Sequence, residues 1–286
     1  MPFVPYICPD CGKEFEVYAD YVLRGVEGVI PKSDGSVVIF ADPTAMRRCD
    51  TCREIKMIDM FCENVSKNVR RRIAMPKTNI LKIKGDWQEV VDDCRSTVAK
   101  PPLGKEPSDK FKQDILISEH DPIRDIEVKF SWRNIPYWVA MHWKTHIWRS
   151  RTNTQRNDRQ SNYDRNKAPQ DAPVDFIGDA NVQHQIDTWR KRLCRMAAPE
   201  TRELAEDYKM ELHGVEPQIS NVLVPNCIYR CGCPEPISCG WYDRMMEKYP
   251  QYAEHLRSTD IRIRYAAYNL IFWEEKGRSM EDIYDA

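Results

Sequence analysis

Two Cys-x-x-Cys pairs, Cys8 with Cys11 and Cys49 with Cys52, constrain the start of this 286-residue chain more tightly than any other feature. Residues 1–62 are too few to bury a self-sufficient core, and two tight turns delivering four thiolates complete the closed tetrahedral shell of a structural zinc ion. Pro9 and Gly12 favour the knuckle turn at the first pair. The insert between the pairs, residues 12–48, is longer than usual for a ribbon, but closure entropy grows only with the logarithm of loop length. Within it, Val37, Val38, Ile39 and Phe40 read as hairpin strand. Four unrelated buried thiols or a redox pair are the alternative. A closed Zn2+ shell has no open position, so this metal is assigned to folding or docking. Asn68 to Pro76, with Arg70, Arg71 and Arg72 in a row, lacks an apolar period and reads as a linker. The expected units are residues 1–75, ribbon and linker, and 76–286, the main domain.

Eleven cysteines in a chain without a secretory start, or an apolar run long enough to span a bilayer, point to metal ligation or catalysis in a cytoplasmic protein rather than to disulfides. A formal net charge of −1 argues against a general polyanion binder, although local basic clusters can still grip one phosphate.

In the main domain the clearest element is Asp125 to Trp132. Ile126, Val128, Phe130 and Trp132 alternate with Asp125, Glu127, Lys129 and Ser131, as a strand with one buried face requires. Residues 86–96 read as a short helix, and Lys100 to Ser108, rich in proline, as loop. Pro136 opens a helix to about Trp148, which leads into a polar loop from Arg149 to Pro173. Further helices fit Val182 to Met196, Glu200 to His213 closed by Gly214, and Asp260 to Trp273. The fold class is mixed α/β with more helix than strand.

The segment HWKTHIWRSRTNTQRNDR gathers His142, His146, Arg149, Arg151, Thr154, Gln155, Asn157 and Arg159. Arginines here can clamp a phosphate bidentately while Gln and Asn read a base edge; a solvated polar loop is the bland alternative. At these residues the chain resembles the flavin-dependent thymidylate synthases. That family has an aromatic-rich strand, a helix ending in Arg-His-Arg, and a loop Ser-x-Asn-Glu-x-Ser-x-Arg-Tyr. Thr145, His146 and Ile147 fall on the Arg-His-Arg positions, so only the histidine is shared. Thr154, Gln155, Asn157 and Arg159 fall on the family's Asn, Glu, Ser and Arg. The likeness runs in order from CRST at Cys94 to Thr97, through NVLVPN at Asn221 to Asn226, to HLRSTDIR at His255 to Arg262.

The resemblance implies transfer of a one-carbon unit from methylenetetrahydrofolate to C5 of a pyrimidine nucleotide, with FAD and NADPH as cofactors and a homotetramer as the assembly. It implies flavin contacts from Ser96, Thr145, His146 and Asn157, and substrate contacts from His142, Arg149, Arg151, Gln155, Arg159 and Arg257. Arg149 and Arg151 are expected to compensate for the two missing arginines. Two other readings stay open: a non-catalytic module on a degenerate scaffold that binds nucleic acid or protein together with the ribbon, and flavin-dependent modification of another pyrimidine.

Cys227, Cys231, Cys233 and Cys239 read either as a second metal site or as partly buried free thiols in a tight loop. Trp138, Trp143 and Trp148 read as core more readily than as a flavin stack. Asp260, Arg262 and Arg264 read as an exposed ion-paired helix face or, for Arg262, as a functional group. His184 and His213 read as structural.

Overall fold

The computed structural model describes residues 77–146, 148–153, 159 and 164–278, together with four strands nearer the N-terminus. The chain divides into two compact units, Met1–Ala74 and Met75–Ala286. In the first, β1 (Phe3–Ile7) pairs antiparallel with β2 (Glu14–Tyr18), and β3 (Val29–Pro31) with β4 (Val37–Ile39). The expected hairpin strand at Val37 is thus β4. Cys8, Cys11, Cys49 and Cys52 lie outside the described residues.

The second unit is built on a four-stranded antiparallel sheet of β5 (Asn79–Lys84), β6 (Glu127–Pro136), β7 (Arg149–Thr152) and β8 (Pro173–Asn181), in the order β5-β6-β8-β7. The alternation read in the sequence holds from Glu127 onward, since Val128, Phe130 and Trp132 are all fully buried while Lys129 and Ser131 are not, but Asp125 closes a 3-10 turn (Asp121–Asp125) instead of opening the strand. β6 then continues past a bulge at Trp132/Ile135, where Asn134 takes a left-handed backbone (φ 56°) and its N–H reaches Asp175 Oδ1 at 3.1 Å. Asn tolerates that conformation better than most residues.

Phe130 is the hub of the buried face. It sits opposite Gly178, and a Cβ at Gly178 would lie 2.3 Å from the Phe130 ring, so only glycine leaves room for it. Freed in this way, the ring packs on Trp132 at 4.8 Å, Tyr208 at 4.8 Å and Trp189 at 6.0 Å.

Helices cover this face. α1 (Trp87–Ser96) is capped by Asp86, which accepts from Glu89 N–H at 2.8 Å, and α2 (Asp109–Ile117) starts at Ser108. α3 (Tyr137–Lys144), α4 (Val182–Arg192) and α5 (Pro199–His213) bring Trp143, Trp189 and Tyr208 onto the aromatic core. Then follow α6 (Pro217–Val222), the single turn α7 (Asn226–Tyr229), α8 (Trp241–Lys248), α9 (Pro250–Leu256) and α10 (Ile261–Glu275).

Several expectations are corrected. The helix from Pro136 ends at Lys144 rather than Trp148, and Arg149–Thr152 is an edge strand rather than loop, held by pairing with Phe176–Asp179. α4 ends at Arg192, short of Met196. Gly214 does cap α5, but in a right-handed conformation (φ −67°), so its freedom from a Cβ is not what ends the helix. Arg264 is not on an exposed face. It is 6% exposed and donates to four carbonyls, those of Ile228, Tyr229, Ser258 and Thr259, tying α10 to α7 and to the turn before it. Among the described residues no helix is long and apolar enough to cross a membrane.

Candidate functional site

The last turn of α3 places His142, Thr145 and His146 where α4 ends in the basic run Arg190, Lys191 and Arg192. A helix C-terminus leaves carbonyls unsatisfied and carries partial negative charge, so a cation is favoured there. Arg192 supplies it from the neighbouring helix. Its Nη2 donates to His142 O at 2.6 Å and to Thr145 Oγ1 at 3.3 Å, and its Nε donates to His146 Nε2 at 2.7 Å.

That contact fixes the chemistry of His146. Burial first, then the charges of Arg192 and Lys191, lower its pKa to about 4, so the ring is neutral near pH 7. With Nε2 accepting from Arg192, the proton sits on Nδ1, and the ring offers a donor without a charge. His142 is also lowered, by burial and then by Arg192, and its Nδ1 lies 3.1 Å from Thr201 Oγ1.

Thr145 and His146 open onto a cavity of about 470 Å³ that is also lined by Asp187, Arg190, Lys191, Tyr229 and Arg230. Arg190 lies over the Tyr229 ring, 3.5 Å from its centre, and pairs with Glu119 and with Asp187. Burial alone would lower the Arg190 pKa, but Glu119 holds it above its ordinary value. Glu119 is itself in a left-handed backbone (φ 52°) and also accepts from Gln183 at 2.7 Å, so the carboxylate is held from two sides. With Arg190 paired to Glu119 and Asp187, the cleft combines a neutral imidazole donor, the cations Lys191 and Arg230 and an aromatic ring, a set suited to a phosphate joined to a planar heterocycle.

Of the residues picked out in the sequence, the structure brings His142, Thr145 and His146 together. Ile147, Thr154, Gln155 and Asn157 lie outside the described residues, and Arg159 is exposed. Ser96 is exposed on α1 with its hydroxyl donating to Asp93 O at 2.8 Å, and Arg257 is exposed at the end of α9; neither lines this cleft. Arg149 is spent elsewhere: it pairs with Glu127 at 2.8 Å and Asp179 at 3.5 Å, where Lys84 also pairs with both carboxylates. Arg151 is exposed on the same edge strand. The guanidinium at the histidine motif comes from Arg192 instead. Its sequence signal was the run Arg190-Lys191-Arg192, which looks like ordinary charge complementing a helix end. His184 also lines the cleft, which the sequence offered no reason to expect.

The tryptophans resolve as core. Trp143 is fully buried and stacks on Trp148 at 5.8 Å, while Trp138 meets His142 edge-on at 5.3 Å. Of the clustered cysteines, Cys227, Cys233 and Cys239 share a cavity of about 260 Å³ with Cys194, whereas Cys231 lies 3.6 Å from the Arg257 carbonyl. Burial, then the neighbouring thiols, push Cys227 up to about 12, so it stays protonated. Among the described residues, no three His, Cys, Asp or Glu side chains are arranged to hold a metal.

No protein-family model matches the chain, and no curated protein matches it in sequence. Among solved structures it is similar to the UMP/dUMP methylase PolB from Streptomyces cacaoi, whose structure was solved with 5-Br dUMP. The TM-score is 0.42 and the identity 11%, over 51% of this chain and 93% of that one. At that distance no residue roles transfer.

Proposed function

We propose that the chain transfers a one-carbon unit to C5 of a pyrimidine nucleotide, with methylenetetrahydrofolate as donor and FAD and NADPH as cofactors. The observation that carries this reading is the placement of Thr145 and His146, the residues on the synthase motif, at a cleft, with Arg192 bonded to both from the neighbouring helix and standing in for a guanidinium that the motif itself lacks.

The residues present fit a flavin nucleotide and a substrate phosphate. Lys191 and Arg230 offer positive charge to phosphate oxygens, the stacked Arg190 and Tyr229 offer a planar wall, and the Nδ1–H of His146 offers a neutral donor to a heterocycle carbonyl. Bound there, the reduced flavin would supply the hydride that completes a methyl group. The work of this chain is to hold the two planar partners in contact and to keep His146 uncharged, so that it donates without repelling the surrounding cations. Ser96 and Arg257 lie off this cleft, and Arg149 would have to leave Glu127 and Asp179 to join it. On the resemblance alone, His142, Arg151, Gln155 and Arg159 are assigned to the nucleotide and Asn157 to the flavin. The same holds for the homotetramer and for Zn2+ on Cys8, Cys11, Cys49 and Cys52.

The test is a turnover assay on the full chain with FAD, NADPH and methylenetetrahydrofolate, following release of tritium from dUMP labelled at C5. Release is expected. No release from C5-labelled dUMP, UMP or dCMP would leave the non-catalytic reading in its place.

A further inference from the structure

Glu119 closes α2 in a left-handed backbone (φ 52°), its N–H donating to Leu116 O at 3.2 Å and the N–H of His120 to Ile115 O at 3.2 Å. At a helix end bonded in this way glycine is favoured, and asparagine next, because a Cβ is strained there. Glutamate forgoes that relief, so its side chain is the feature to account for.

That side chain reaches α4. Gln183, Asp187 and Arg190 recur at i, i+4 and i+7 and so share one face of that helix. Glu119 accepts from Gln183 Nε2 at 2.7 Å, from Arg190 Nη1 at 3.3 Å and from Arg190 Nη2. Arg190 is buried and its Nε has no partner, so the guanidinium is held through its terminal nitrogens, to which the exposed Asp187 adds a longer bond at 3.5 Å. Clamped in this way, the guanidinium lies 3.5 Å from the centre of the Tyr229 ring. Arg190 and Tyr229 line the His146 cleft, and Glu119 does not. Glu119 therefore acts on the cleft through Arg190: it fixes the stacked wall, and it offsets a charge that would otherwise compete with Lys191 and Arg230 for a phosphate.

We propose that Glu119 is a positioning residue of the His146 cleft, holding Arg190 on Tyr229 so that the stacked pair receives the heterocycle while Lys191 and Arg230 receive its phosphate. This rests on the cleft being a site for a phosphate-bearing heterocycle. The test compares the full-length parent with Glu119→Gly, which suits the left-handed backbone, and with Glu119→Gln, which keeps the shape but not the charge; circular dichroism checks each fold. Without ligand, NMR should show Arg190 side-chain resonances displaced by the Tyr229 ring current in the parent and in Glu119→Gln, and released in Glu119→Gly. Calorimetric titration with dUMP and with inorganic phosphate should show dUMP at least tenfold weaker in Glu119→Gly with phosphate no weaker than in the parent, and phosphate at least threefold tighter in Glu119→Gln. A structural role alone would weaken both ligands together. Equal Arg190 shifts in the parent and folded Glu119→Gly, unchanged dUMP affinity there, parallel loss of dUMP and phosphate, or unchanged phosphate affinity in Glu119→Gln overturns the proposal. A parent that binds neither ligand, with the stack still dependent on Glu119, contradicts the reading of the cleft and with it the positioning role.

Discussion

At the scale of single residues, a half-buried imidazole and a fully buried amine report the environment directly. His146 is held neutral by partial burial and by Arg192, so its folded pKa of about 4 lies below the ordinary histidine value of about 6.5. Stability drawn from it is present above the unfolded value and is lost as pH falls from about 6.5 toward 4. Arg192→Ala removes one of the lowering charges and opens the ring to solvent. The His146 titration, followed by NMR, should move upward; an unmoved pKa would mean that Arg192 does not face the ring in solution. Lys209 is a sharper case. It is fully buried on α5, without a carboxylate, donating to Ser220 O at 2.6 Å, and desolvation lowers its pKa to about 7. The Tyr268 and Phe272 rings near its Nζ, at 5.9 and 5.3 Å, favour the charged form but do not offset that burial. The unfolded chain binds the proton up to about 10.5, so stability should rise with pH between 7 and 10.5 and be flat below. Lys209→Met should raise stability near pH 7 by about 2–4 kcal/mol and flatten that rise. The Ser220 carbonyl keeps its bond from Leu223 N–H at 3.0 Å, so the substitution strands no acceptor there. Denaturant unfolding at several pH values measures both effects.

At the scale of elements, β6 was legible because its alternation is unbroken as far as Trp132, α1 and α10 because a capping aspartate opens each, and α5 because of its apolar spacing. β8 was not. Its buried face reads Val174, Phe176, Gly178, Ala180, and the small residues that dilute the apolar signal are there to admit the Phe130 ring from the neighbouring strand. β7 was hidden for a different reason: an edge strand of Arg149, Ser150, Arg151 and Thr152 has no apolar face, and only its partner makes it a strand. Gly178→Ala should therefore be more costly than its size suggests, about 2–4 kcal/mol, because a ring contacted by five aromatic neighbours has nowhere to move. A loss below about 0.5 kcal/mol, within the range of ordinary surface changes, would show that Phe130 can give way. The site was half legible in the same sense. Thr145 and His146 follow from a local motif, whereas Arg192 reaches them, and Tyr229 and Arg230 reach the cleft, only through packing of α4 and α7, which no local pattern encodes.

For the molecule as a whole, the two units make separate demands. The described strands of residues 1–74 are short, and four thiolates on one zinc would supply most of the free energy that orders so small a unit. Cys8→Ser with Cys11→Ser should remove zinc, read by elemental analysis, and leave the unfolding transition of residues 75–286 in place. Parent protein that holds no zinc when purified without chelator would remove the ribbon from the account. The main unit owes its stability to the aromatic core around Phe130, and its proposed chemistry to the charges grouped behind His146. The measurement that bears most directly on that proposal is a titration of the full chain with FAD, read in the visible flavin band, for the parent, Arg192→Ala and Arg151→Ala. The parent should bind flavin tightly, Arg192→Ala should lose at least tenfold, and Arg151→Ala, whose side chain is exposed on the edge strand, should change little. A parent chain that binds no flavin, or an Arg192→Ala chain that binds it equally well, would contradict that proposal.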